Sequence, residues 1–212
     1  MKPKNRKLGD SAAIGIGTMI IFIAIVLVAA IAASVLIDTS ARLEMQALTT
    51  AAETKNDVAS GLTVQSVSGY NESGSISLLA IEINSKAGSP PIDLSETILE
   101  ISDGSEKHVL RYASQLTSST SLNGDIFTYG SFGNETYFGI NVLQDADDSC
   151  SVTIPVINYG DHVMLGVNTT AIFSGVPSRT DISGLVICEE GSPGIIGFRT
   201  PSTITDAVLE LQ

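Results

Sequence analysis

IGIGTMIIFIAIVLVAAIAASVLI, residues 14–37, carries no charged side chain, and none occurs anywhere between Asp10 and Asp38. About 20 apolar residues in helical form cross roughly 30 Å of hydrocarbon, so this run is long enough for a membrane helix. A secretory signal has a shorter apolar core followed by a small-residue cleavage site. This run is longer and continues without a break. Lys2, Lys4, Arg6 and Lys7 precede it. Basic residues stay on the cytoplasmic side, which places the C-terminal bulk outside.

Past Asp38 the segment TSARLEMQALTTAAETKNDVAS keeps good helix formers, with Leu43, Met45, Ala47 and Leu48 among polar residues. No Pro or Gly interrupts from Thr18 to Ser60, and Gly61 follows as a natural stop. The pattern predicts one unbroken helix over 13–60, on the order of 60 Å long at 1.5 Å per residue. A compact domain of ordinary size has no use for such a spike. Helix–helix association is the expected use, and Ala29, Ala30, Ala32, Ala33 and Ser34 would let backbones approach closely. A simple membrane anchor with a helical stalk is the alternative.

The rest of the chain is acidic and rich in Ser, Thr and Gly. The net charge of the 212 residues is −12, although the first ten residues are basic. Such a body excludes nucleic acid as a partner, because phosphates demand a basic face. After Gly61 the period changes to alternation. Leu79, Ile81 and Ile83 alternate with polar or small residues, as do Phe138, Ile140 and Val142, and Val163, Leu165 and Val167. Shorter candidate strands are 62–67, 98–101, 109–112, 152–156 and 185–188. Turn chemistry separates them at Asn71–Gly74, Gly88-Ser89-Pro90-Pro91, Asp103-Gly104, Asn123-Gly124-Asp125 and Tyr159-Gly160-Asp161. Short strands with regular punctuation predict an antiparallel, Ig-like β-sandwich or barrel over 61–212, so the fold class is α+β.

The stretch from Gly15-Ile16-Gly17-Thr18 through Phe22-Ile23-Ala24 and Val26-Leu27-Val28-Ala29-Ala30 to Val35-Leu36-Ile37 resembles the N-terminal core of the archaeal flagellins, or archaellins, of the type IV pilin-like superfamily. Bacterial type IV pilins share the basic leader but usually carry Glu at the fifth mature position, which is Gly17 in this chain. Leu79–Gly104, LAIEINSKAGSPPIDLSETILEISDG, is similar to an archaellin stretch, and Gly191, Thr200-Pro201 and Val208–Leu211 look like the family's closing strands.

The resemblance implies a class III signal peptide over 1–12, cut before the apolar run by a prepilin-type aspartyl peptidase. Two residues normally precede the family's GIG triplet, which places the cut between Ala12 and Ala13. Archaellins tend to have Gly before the cut, so Gly9/Asp10, preceded by Arg6-Lys7-Leu8, competes. The implied function is a structural subunit of the archaellum filament for swimming motility, polymerising with itself or with other archaellins. Its core positions would be Ile14, Ile20, Phe22, Val26, Leu27 and Leu36. The expected route is a membrane-inserted precursor that becomes an extracellular filament. A subunit of a pilus-like adhesion filament and a monomeric, membrane-anchored binding module are the alternatives.

Little in the chain suggests catalysis. His108 and His162 are the only histidines, and neither sits in a metal or nucleophile motif. Cys150 and His162 could form a nucleophile–base pair only if the fold brought them together. No cofactor is expected, and the chain is read as a non-enzyme. Asp145, Asp147 and Asp148 form an oxygen-rich cluster of the kind that can hold calcium, without EF-hand spacing. Three sequons, at Asn71, Asn134 and Asn168, lie in the part placed outside the cell and are candidates for N-glycosylation. Cys150 and Cys188 also lie outside, where thiols oxidise, and an intradomain disulfide between them is expected.

Overall fold

A computed structural model describes residues 6–118 and 124–212. Lys2 and Lys4 of the leader and Asn123 of one expected turn lie outside the described residues. The chain divides into two units, Met1–Glu53 and Thr54–Gln212.

Helix α1 runs over Arg6–Ala59, 54 residues without interruption. It begins earlier than the sequence pattern predicts, because the described leader residues continue the same helix. Isolated hydroxyls in and just past its apolar stretch bond back to the helix. Thr18 Oγ1 donates to the Gly15 carbonyl at 2.9 Å and Thr39 Oγ1 to the Leu36 carbonyl at 3.0 Å, so neither demands water. The helix ends where the Ser60 N–H bonds the Asn56 carbonyl at 2.8 Å and Gly61 turns away with φ of 136°. A Cβ on Gly61 would meet the Ser192 carbonyl oxygen at 2.2 Å, so two separate constraints demand glycine there.

The outer unit contains β1 (Leu62–Glu72), β2 (Ser75–Ser85), β3 (Ile92–Asp93), β4 (Ile98–Ser102), β5 (Lys107–Ser118), β6 (Tyr137–Gln144), β7 (Val156–Ile157), β8 (His162–Asn168), β9 (Asp181–Ile187), β10 (Gly194–Arg199) and β11 (Val208–Glu210). Short helices α2 (Ile126–Tyr129) and α3 (Thr169–Phe173) interrupt them. Nine strands form one sheet in the order β10-β9-β4-β5-β6-β8-β2-β1-β11, and β3 pairs with β7 apart from it. Every pairing in the large sheet is antiparallel except β5 with β6. A parallel pair needs a long crossover, and the connection carrying α2 supplies it. The sheet curls until its ends approach: the Leu62 N–H bonds the Ser192 carbonyl at 3.2 Å.

Alternation explains the core. Leu79, Ile81 and Ile83 of β2, Val163, Leu165 and Val167 of β8, and Phe138 and Ile140 of β6 are fully buried together inside the curl. Leu99, Ile101, Leu110, Val186 and Ile196 continue the core across the other half. A second, smaller cluster lies on the opposite face. Phe127 of α2 packs there against Ala80 and Met164, with its ring 5.4 Å from Tyr70 and 5.7 Å from Phe132. β2 is therefore buried on both faces over much of its length.

Two segments differ from the sequence reading. The expected strand at 152–156 is mostly turn, with the Ser151 N–H bonding the Ile154 carbonyl at 2.9 Å, and only Val156 enters β7. β10 carries no simple apolar alternation, because glycines occupy Gly194 and Gly197. It still buries Gly194, Ile196 and Phe198 on one face and exposes Ile195, Gly197 and Arg199 on the other.

Candidate functional site

The most unusual surface of the chain is α1. Between Ile14 and Ile37, 15 large apolar side chains stand in the open, from Val26 at 48% exposure to Ile37 at 69%. The positions expected to form a core, Ile14, Ile20, Phe22, Val26, Leu27 and Leu36, are all among them. Exposed aliphatics occur at nearly every position, so no face of this segment is polar. A helix apolar all round must be covered by lipid or by other helices. Gly15 and Gly17 sharpen this point. A Cβ at either would meet no atom within 4 Å, so nothing inside the chain requires glycine there. Small residues at such positions allow close approach by a neighbouring helix.

The outer unit gathers carboxylates differently from the sequence expectation. Asp145, Asp147 and Asp161 bring one oxygen each within 4.8 Å of one another. Asp148, expected in this group, is exposed and outside it, with its own backbone left-handed at φ of 57°. Asp161 takes its place because the chain reverses through β7 and returns 13 residues later. Asp145 accepts the Cys150 N–H at 2.9 Å and the Ser149 N–H at 3.2 Å. Asp161 is buried and accepts the Asn158 N–H at 2.8 Å. Hydrogen bonds from Ser149 and then Asn158 hold the Asp147 carboxyl below its usual range. The donors are all hard oxygens, which suit calcium or magnesium rather than zinc. Each carboxylate oxygen keeps lone-pair capacity beyond the N–H it accepts.

The expected Cys150–Cys188 bridge is not formed. Both are free thiols, buried in different surroundings. Burial, with Asp145 and Asp161 nearby, pushes the Cys150 thiol up to about 12. Cys188 donates to the Glu190 carbonyl at 3.0 Å, and burial raises it too. The Cys150–His162 pair is not formed either. His162 Nδ1 faces Glu82 at 3.1 Å, while the His108 ring packs edge-on against Phe173 at 5.1 Å. Both histidines have structural neighbours that account for them.

The three sequon asparagines each shape a local turn. Asn71 accepts the Gly74 N–H at 2.9 Å, Asn134 the Thr136 N–H at 2.9 Å and Asn168 the Ala171 N–H at 3.1 Å. Only Asn134 is itself exposed and followed by an exposed hydroxyl residue two positions on and an exposed residue between. In the other two sequons the asparagine is half-buried.

The comparisons with known proteins agree with this geometry. Residues 12–198 match the family model of archaeal-type flagellin. Flagellin B2 of Methanocaldococcus jannaschii is 46% identical over 211 residues, covering 96% of both chains. Flagellin B1 of the same organism is 44% identical, again covering 96% of both. A crystal structure of archaeal flagellin FlaB1 from Methanocaldococcus jannaschii superposes with a TM-score of 0.65 at 36% identity, covering 73% of this chain and 98% of that one. The archaeal flagellum of Methanospirillum hungatei shares the fold, with a TM-score of 0.63 at 14% identity over 92% of this chain and 98% of that one. The chain belongs to the archaeal-type flagellin family and is a structural filament subunit for motility, not an enzyme.

Proposed function

We propose that the chain is inserted in the membrane as a precursor, loses its leader to a prepilin-type aspartyl peptidase, and polymerises through α1 into the core of an extracellular filament. The observation that carries this reading is the ring of 15 exposed apolar side chains on α1. In lipid that surface is at no disadvantage, since acyl chains are as apolar as leucine. Once a subunit leaves the bilayer, the same surface meets water unless other helices cover it. At about 1.5–3 kcal/mol per large side chain, covering it yields tens of kcal/mol of gross burial. Ordering and orientation take back part of that sum. The remainder is ample for a filament without covalent links between subunits.

Cleavage between Ala12 and Ala13 is supported by the basic leader ahead of the run, and it leaves two residues, Ala13 and Ile14, before the Gly15-Ile16-Gly17 triplet. It removes four of the 11 basic and one of the 23 acidic residues, leaving 7 against 22 and a net charge of −15. N-terminal sequencing of filament protein is expected to start at Ala13, with Asp10 as the alternative. Recovery of Met1 in assembled material would rule out this maturation. On the outer unit, exposure favours Asn134 among the sequons as a glycan acceptor. Asp145, Asp147 and Asp161 have the donor chemistry to hold calcium, whose charge would offset three clustered carboxylates.

A further inference from the structure

The large sheet is covered on its outer side over only part of its width. α2 and Phe132 lie over β2 and β8. The cluster around α2 includes no residue from the outer face of β5, β4, β9 or β10. The registers lay out that face in rows. Val109, Glu100, Leu185 and Ile195 stand abreast across the four strands, as do Arg111, Ile98 and Ile187 across three. Ile195 is 67% exposed and Val109 47%. A groove of roughly 450 Å³ opens beside Ile195, lined by Glu100, Lys107, Leu185 and Ile195.

The charge of this face is as unusual as its apolarity. Only five basic residues follow Gly61, against 18 acidic ones. Three of the five, Lys107, Arg111 and Arg199, belong to this face, opposed by Glu100 and Asp181. Lys107 pairs with Glu100 at 2.6 Å and Arg199 with Asp181 at 3.6 Å, so the face is net positive by one charge, at Arg111, on a strongly negative unit.

Its complement lies elsewhere on the same chain. The segment 145–161 contains four aspartates, of which Asp147 and Asp148 are exposed, and no basic residue, and it exposes Val152, Ile154 and Tyr159, the last two at 61% and 76%. The segment is a built surface rather than a loose tail. Asn158 Nδ2 ties to Asp147 at 2.7 Å, and Ser149 Oγ to the Val156 carbonyl at 3.1 Å.

We propose that the outer face of β5-β4-β9-β10 binds the 145–161 segment of a second copy of this chain, with Ile154 seated in the groove and exposed Asp148 facing Arg111. This rests on the filament reading above and adds a lateral contact between outer units. The chemistry of the occupant follows from two complementarities, apolar to apolar and acidic to basic. The contact joins two different surfaces, so repeating it does not close a pair. A heterologous contact of this kind is what an open helical polymer requires.

Filaments of the full chain carrying Ile154→Cys with Ile195→Cys test it by mild oxidation followed by denaturing electrophoresis. A ladder of dimers, trimers and higher multimers is expected from the double variant, with each single variant remaining monomeric. Intact filaments of the double variant that give no multimers would overturn the contact, and so would dimers from Ile195→Cys alone, which indicate two faces meeting each other. If the double variant fails to assemble, Arg111→Glu gives an independent reading. Dissociation of those filaments at a lower temperature than wild type supports the contact, and an unchanged temperature overturns it. Failure of the wild-type chain to form filaments would instead count against the filament reading.

Discussion

The Gln212 side-chain oxygen accepts the Gly197 N–H at 2.8 Å, and its amide nitrogen donates to the Ile195 carbonyl at 3.2 Å. A side-chain amide thus stands where a peptide group of a further strand would stand, on the free edge of β10. Exposed sheet edges invite pairing with other chains, and this one is blocked. Gln212→Ala is expected to return both backbone groups to water and cost about 1 kcal/mol. Hydrogen exchange should then quicken at the Gly197 amide and leave the β2 amides unchanged. Uniform exchange across the sheet would show that the contact does not protect the edge.

The segment after the helix has its own core and is expected to fold alone. Residues 61–212 should be soluble and form no filaments, with the far-ultraviolet signature of a β-sheet. Aggregated or unfolded material would mean that the core depends on α1.

Within that domain, Gly139 and Gly166 face each other across β6 and β8. A Cβ on either would lie 2.1–2.2 Å from the Ser131 carbonyl oxygen, which also accepts a bond from buried Asn141. Gly166→Ala therefore forces Ser131 off the sheet, and about 1–3 kcal/mol of stability is expected to be lost. Urea denaturation measures this directly. A midpoint equal to wild type would show that the loop yields freely.

How much of this was legible beforehand varies by element. α1, β2, β6 and β8 announce themselves, because long apolar runs and strict alternation at Leu79–Ile83 or Val163–Val167 have one economical burial. β10 does not, since Gly194 and Gly197 erase the alternation that Ile196 and Phe198 would otherwise display. The carboxylate cluster was half legible. Asp145 and Asp147 are near in sequence, but Asp161 joins them only through the β7 reversal, which local pattern does not encode. The cysteine expectation failed for a related reason: compartment chemistry says when thiols can pair, not which ones the fold brings together.

The carboxylate cluster makes a cation-dependent stability testable. Calcium at about 100-fold above its dissociation constant would add about 2.7 kcal/mol to the native state. The melting temperature of 61–212 should rise on adding calcium and fall with chelator, and Asp161→Asn should remove the response. Identical melting with and without calcium would leave the cluster a purely hydrogen-bonded loop.

The buried Cys150 thiol predicts an alkaline limit. Its folded pKa lies above the free value of 9.0, at about 12, so the folded state keeps a proton that the unfolded state releases. The associated stability is fully present below about pH 9 and declines as pH rises toward 12. Wild type and Cys150→Ala should therefore differ in the slope of stability against pH in that window and run parallel below it. Parallel curves throughout would show that the thiol has no such role.

The mechanism stands or falls on whether α1 forms the shared core. Val26→Asp puts one charge in the middle of the uncharged run, where a packed helix bundle offers it no partner. Electron microscopy of cells making this variant, with insertion and leader removal verified by mass spectrometry, gives the most direct answer. The expected result is a processed, membrane-held subunit and no filaments. Normal filaments built from Val26→Asp would contradict assembly through the helix.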